Sequence, residues 1–170
     1  MRALDVLRAV DRIAAEDTRV SNGLLQHFGI ATKMIALHEH NERTQAARIV
    51  AMLGEGLSVA LICDAGTPGI SDPGSILAGA VRAAGYAVVP IPGASALTAL
   101  LSVTGWPSAP FRFIGFLPPK PTARQAALDA LAAAREALVF YEAPHRIVET
   151  LDDCAARLVG ERRITIAREL

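Results

Sequence analysis

The sequence carries no excess charge of either sign, few aromatics and almost no cysteine. Lys plus Arg and Asp plus Glu number 17 each, so no net field draws the chain to free nucleic acid or to a membrane surface. Cys63 and Cys154 are the only cysteines. One falls on an expected inner strand and the other on a helix face, so they read as buried thiols of a reducing compartment. Neither a disulfide framework nor a zinc site is expected. No apolar run reaches the ~18–20 residues of a membrane span, and the first helix is charged. No signal peptide, membrane partner or DNA partner is expected, and the expected location is the cytoplasm. Aromatics make up 5% of the chain, yet 52% of the 170 residues are hydrophobic. That is enough to bury a core in one large or two small domains.

What is present alternates between strand and helix. Leu4, Leu7, Val10 and Ala14 recur at helical spacing, followed by the polar run Glu16-Asp17-Thr18-Arg19. Ser21 to Phe28 predicts a short helix ended by Gly29, and Lys33 to Leu37 a strand. Ala46, Ile49, Val50 and Leu53 line one face of a helix over 41–53. A strand over 57–62 leads into a glycine-bearing loop, followed by a helix with Leu77, Ala80, Val81 and Ala84 inward. Asp72 is its expected N-cap and Pro73 its first helical position. Val88 and Val89 predict another strand, and Pro92-Gly93-Ala94-Ser95 the start of a helix reaching about Val103. Apolar strands without polar alternation suit a parallel sheet covered on both faces. Five prolines and four aromatics crowd between Gly105 and Pro121, placing a boundary near residue 108. Beyond it the pattern predicts a strand over 111–117, a helix from Thr122, a strand over 137–141, a helix from Ile147 and a strand over 163–167. The fold class expected is α/β in two units, 1–108 and 109–170.

Five clusters carry candidate chemistry. The loop Asp64-Ala65-Gly66-Thr67-Pro68-Gly69-Ile70-Ser71-Asp72-Pro73-Gly74 joins a strand to a helix, where backbone approaches a ligand closely. It has no Lys, no Arg and no Gly-x-Gly-x-x-Gly, which excludes a P-loop or a dinucleotide fingerprint. Pro92-Gly93-Ala94-Ser95-Ala96 is a second strand-to-helix loop that would emerge at the same sheet edge, so the two could form opposite lips of one pocket. Glu16-Asp17-Thr18-Arg19 could orient a substrate hydroxyl or phosphate, or end a helix with a local ion pair. In His38-Glu39-His40-Asn41-Glu42 the histidines would alternate across a strand and point apart, with no third ligand, so a cap by Asn41 or a substrate contact is favoured over zinc. Tyr141-Glu142-Ala143-Pro144-His145-Arg146 sets an acid, an imidazole and a guanidinium at a strand end, or forms a charged turn.

These motifs, together with Gly-Phe-Leu-Pro at 115–118 and Ala-Arg-Glu-Leu at 167–170, occur in an order that closely resembles the ribosomal RNA methyltransferase branch of the tetrapyrrole methylase superfamily. The resemblance spans essentially the whole chain. It implies a two-domain fold, with a mostly parallel sheet in the first domain and S-adenosylmethionine in the cleft between domains. It also implies methyl transfer to a cytidine ribose 2′-hydroxyl in the 16S RNA of the small ribosomal subunit, and a homodimer. On matching positions, Asp64, Ala65, Gly66, Thr67, Pro68, Ile70, Ser95, Ala96, Tyr141 and Glu142 would bind the cofactor. Glu16, Asp17, Arg19, His38, Glu39, His40, Asn41 and Glu42 would handle the substrate. Arg19, Arg43, Lys120, Arg124, Arg146, Arg162 and Arg163 are candidates for RNA contact, and no metal is required.

The family pattern also begins with a strand and a Thr-Pro-Ile-Gly-Asn-Leu loop that this sequence lacks, and it continues past Leu170. The expectation is therefore an incomplete first sheet, an incomplete second domain and weak cofactor binding by these residues alone. Two other readings stay open: a methylase for a small tetrapyrrole-type acceptor, and an inactive fragment.

Overall fold

The computed structural model describes residues 2–106, 110–158, 160 and 162–169. The chain divides into two compact units, Met1–Ser95 and Ala96–Leu170. The boundary expected near residue 108 falls on 107–109, outside the described residues.

The first unit runs α1 (Arg2–Ala9), β1 (Arg12–Ala15), α2 (Thr18–His27), β2 (Met34–Ala36), α3 (Glu42–Gly54), β3 (Val59–Ile62) and α4 (Ser75–Ala83). Its sheet is parallel throughout, in the order β2-β1-β3. Residues of β1 alternate between the two faces, as a period of two demands. Ala14 joins Leu37, Ala46, Ile49, Leu77 and Val81 under α3 and α4. Ile13 and Ala15 join Leu7, Leu25 and Ile30 under α1 and α2. Ile13, Leu37 and Ile49 are fully buried, each stabilising the fold by roughly 2 kcal/mol relative to exposure.

β1 corrects the first expectation of the sequence. Residues 12–15 are the central strand, not the end of a helix. Ile13, Ala14 and Ala15 are all fully buried, and a short strand buried on both faces lacks the alternation that marks a strand. Its alanines extended the helical spacing of Leu4, Leu7 and Val10 by coincidence.

The strand expected at Val88–Val89 does not form either, and these residues are 45% and 62% exposed. Pro90 and Pro92 remove two backbone donors beside them, and no described strand pairs with the segment. Nor is 163–167 a strand. It has no ladder partner among the described residues, and Ile164 and Ile166 lie exposed.

The second unit contains α5 (Ala96–Val103), β4 (Phe111–Phe116), α6 (Pro121–Leu131), β5 (Ala137–Tyr141) and α7 (Ile147–Arg157). β4 and β5 pair in parallel. Leu117, Leu128 and Cys154 form their own core, with Ile114, Ala127, Phe140 and Leu158 packed against it. Among the described residues, no helix is long and apolar enough to cross a membrane.

Candidate active site

The strands of the first unit end at one edge of the sheet, so the segments after β1, β2 and β3 emerge side by side. From β1 the chain crosses to β2 on one side and then returns to β3 on the other. Strand order therefore reverses between β1 and β3, and open α/β sheets bind ligands at such a switch point.

Two acidic segments bracket each other there. The Asp64 backbone N–H donates to Glu16 Oε2 at 3.3 Å, and the Asp17 N–H donates to Asp64 Oδ1 at 3.3 Å. Asp17 also caps α2, accepting from the Arg19 N–H at 2.8 Å. Its other oxygen pairs with the Arg19 guanidinium at 2.6 Å. The Arg19 side-chain hydrogen bond, then the Arg19 backbone N–H, hold the Asp17 carboxyl well below the usual carboxylate range. Asp17 is thus a cap and a partner for Arg19, and a poor proton acceptor near neutral pH.

The loop after β3 carries four left-handed residues: Gly66, Gly69, Ser71 and Gly74, with φ of 74°, 79°, 65° and 139°. Among the described residues beyond its chain neighbours, nothing lies within 4 Å of where a Gly66 side chain would begin. Gly74 is crowded, and a Cβ there would lie 2.8 Å from Leu61 Cδ2 and 3.2 Å from the Gly69 nitrogen. The Thr67 hydroxyl donates to the Ala94 carbonyl at 3.1 Å. This bond brings together the two loops expected to line one pocket, although no strand precedes the second. Ser95 closes the first unit and Ala96 opens the second.

Asp72 does not cap α4. The N-cap is Gly74, with no side-chain cap of its own, and the acceptor comes from Glu42, whose Oε1 takes the Gly74 and Leu77 N–H groups at 2.8 and 3.0 Å. Asp72 instead lies beside Cys63, and burial raises its carboxyl. Burial, then the neighbouring Asp72 charge, pushes the Cys63 thiol up to about 11. Cys63 is therefore protonated at neutral pH, its Sγ donating to the Ala65 carbonyl at 3.1 Å.

After β2 the chain makes a turn rather than extending the strand. The Asn41 N–H donates to the His38 carbonyl at 3.0 Å. Asn41 Oδ1 accepts from the His38 N–H at 2.9 Å, and its Nδ2 donates to the Ala36 carbonyl at 3.2 Å. Asn41 stands at the N-cap of α3 but spends its side chain on this turn. Because β2 ends at Ala36, the expected alternation of the histidines does not apply. The His38 and His40 rings meet edge-on with centroids 6.1 Å apart. His38, Glu39 and His40 are exposed, and Glu42 is buried.

In the second unit, Tyr141 meets Phe113 and Phe116 edge-on at 4.8 and 5.6 Å. Glu142 is engaged locally: Oε2 accepts from the Thr150 hydroxyl at 2.6 Å and Oε1 from the Ala143 N–H at 2.7 Å, with Arg146 Nε 3.3 Å away. Arg146 also donates to the Leu117 and Pro118 carbonyls. Arg124 is 2% exposed and paired with Asp153 and Glu149, so it cannot serve as the RNA contact expected of it. Arg162 donates to the Ala134 carbonyl, while Arg19 and Arg43 are exposed.

The family model for Tetrapyrrole (Corrin/Porphyrin) Methylases matches residues 1–170. The chain belongs to the tetrapyrrole methylase family. Within that family it is similar to proteins named ribosomal RNA small subunit methyltransferase I. It is 55% identical to the one from Xylella fastidiosa (strain Temecula1 / ATCC 700964), over 99% of this chain and 62% of the relative. Against those of Escherichia coli O157:H7 and Halalkalibacterium halodurans it is 50% and 47% identical, again over 99% of this chain, and over 59% and 58% of the relatives. The chain thus spans about three fifths of the length of these tetrapyrrole methylase relatives.

Sequence reasoning missed the Glu42 cap and the Cys63–Asp72 contact. Glu42 and Gly74 are 32 positions apart, and no local pattern announces such a partner. The Cys63–Asp72 contact depends on how the loop folds back after β3.

Proposed function

We propose that this chain supports S-adenosylmethionine-dependent 2′-O-methylation of a cytidine ribose in the 16S RNA of the small ribosomal subunit. One observation carries the reading: the acidic segment after β1 and the glycine loop after β3 hold each other at the switch point of the sheet, with the histidine turn after β2 at the same edge. The loop suits the cofactor, since Gly66 leaves open space against bare backbone and exposed Asp64 offers a carboxylate to a cationic ligand. When bound, the cofactor would supply an electrophilic methyl group on its sulfonium. Asp64, Ala65, Gly66, Thr67, Pro68 and Ile70 would hold it, with Ser95, Ala96, Tyr141 and Glu142 as further contacts.

The chain's own residues then have three tasks. Holding the ribose hydroxyl in line supplies much of the acceleration. A weakly acidic hydroxyl needs a proton acceptor; Glu16, His38 and Glu39 fit this role better than Asp17, which is committed to Arg19, or Glu142, which is committed to Thr150. Exposed Arg19 and Arg43 would meet phosphates. A chain with no net charge suits recognition of a shaped ribosomal particle over tight binding to free RNA.

The test grafts residues 2–169 in place of the matching span of the Escherichia coli relative and supplies tritiated S-adenosylmethionine with small ribosomal subunits. Transfer to a cytidine ribose is the expected result. Arg19→Ala and His38→Ala should each lower transfer roughly tenfold or more while changing cofactor affinity less than about threefold. A folded graft that methylates a porphyrinoid and not the subunit would establish the small-acceptor alternative instead.

A further inference from the structure

We propose that Glu42 is a positioning residue that ties the conformation of the 64–74 loop to that of the 38–42 turn. Glu42 is 4% exposed, and one carboxylate oxygen takes the Gly74 and Leu77 N–H groups. Glu42 is also the first residue of α3, so its carboxylate stands near the positive ends of two helices, α3 and α4. Those helices are locked together by Ala46, Ile49, Leu77 and Val81, which gives the contact a rigid platform.

Each side of the contact leads directly to a candidate site segment. Gly74 closes the glycine loop, whose Gly69 N–H donates to the Pro73 carbonyl at 3.2 Å. Asn41, adjacent to Glu42, holds the turn that presents His38, Glu39 and His40. A residue close to the helix start would suffice merely to begin α4. The acceptor is drawn instead from 32 positions upstream, so the loop cannot shift without moving the turn. Assigning the loop to the cofactor and the turn to RNA rests on the function proposed above; the mechanical link does not.

Residue-resolved amide exchange on the protein, Glu42→Ala and Glu42→Gln tests the link. In Glu42→Ala, exchange should quicken roughly tenfold or more over both 66–77 and 38–41, leaving β1 and β3 unchanged. Gln, whose side-chain oxygen can accept the same two bonds, should restore most of the protection. Should the alanine variant fail to fold, Glu42→Asp, which withdraws the carboxylate by one methylene, should show the same paired loosening. Quickening confined to 66–77, uniform quickening across the unit, or no change would each overturn the proposal. Adding S-adenosylmethionine to the grafted protein tests the functional reading separately: no protection over 64–74 would count against the cofactor assignment, while the variant pattern still decides the role of Glu42.

Discussion

Gly74→Ala should cost the first unit about 3 kcal/mol or more of stability, one of the two largest effects expected of a single substitution here. Two costs add. The backbone at Gly74 has φ of +139°, a conformation that side-chain-bearing residues rarely adopt. The new Cβ would also meet Leu61 Cδ2 at 2.8 Å and the Gly69 nitrogen at 3.2 Å. Leu61 can turn its terminal methyl aside, but the Gly69 backbone nitrogen can yield only by moving the loop. Any such movement stretches the Gly74 N–H bond to Glu42. Gly66→Ala is the control, because its surroundings are open and only the left-handed φ of +74° opposes it, at about 1–2 kcal/mol. Urea titration of both variants checks the ranking, and equal midpoints would refute this account of the loop.

Arg124→Met should weaken the second unit more than any exposed substitution, lowering its melting temperature by roughly 5 °C or more. The guanidinium lies between α6 and α7 with its Nε 2.6 Å from Asp153, itself only 13% exposed at the side chain. Methionine fills the space of the stem but leaves Asp153 buried without its guanidinium, with Gln125 still donating to it at 2.8 Å. Acid should reveal the same interaction. The Gln125 hydrogen bond, then that of Arg124, hold the Asp153 carboxyl below its ordinary value. A depressed carboxyl stabilises the fold fully above its unfolded value near ~4 and loses that contribution as pH falls through the folded value. The gap between wild type and Arg124→Met should therefore be widest at neutral pH and narrow below about pH 4. Melting curves at the two pH values measure this, and a gap independent of pH would exclude the ion pair as its source.

The legible parts of the sequence were those whose signals are local. The face carrying Ala46 and Ile49 marked α3, and the apolar run ending at Ile62 marked β3. The loops at 64–74 and 92–96 stood out because glycine and proline punctuate the chain. Long-range pairing was not legible. Val88–Val89 has strand composition but finds no ladder, and the central strand at 12–15 hid behind alanines that serve helix and strand alike. Asp72 looked like a cap by position, whereas the acceptor came from Glu42, placed there by the packing of α3 on α4. Arg124 and Arg146 read as free cations, since nothing in a single sequence shows that Asp153 or the Leu117 carbonyl waits for them.

The central claim is that the loop after β3 is a cofactor cradle and more than a turn. Calorimetric titration of S-adenosylmethionine into the grafted protein and its Gly66→Val variant tests it most directly. The left-handed φ of +74° strains valine at Gly66, but the space around it is open. The variant should therefore still melt cooperatively, at a lower temperature, while its branched side chain occupies the place where a ligand would approach the backbone. The account predicts saturable binding to the parent and at least a hundredfold loss, roughly, in a folded variant. Equal affinity in the two would contradict it.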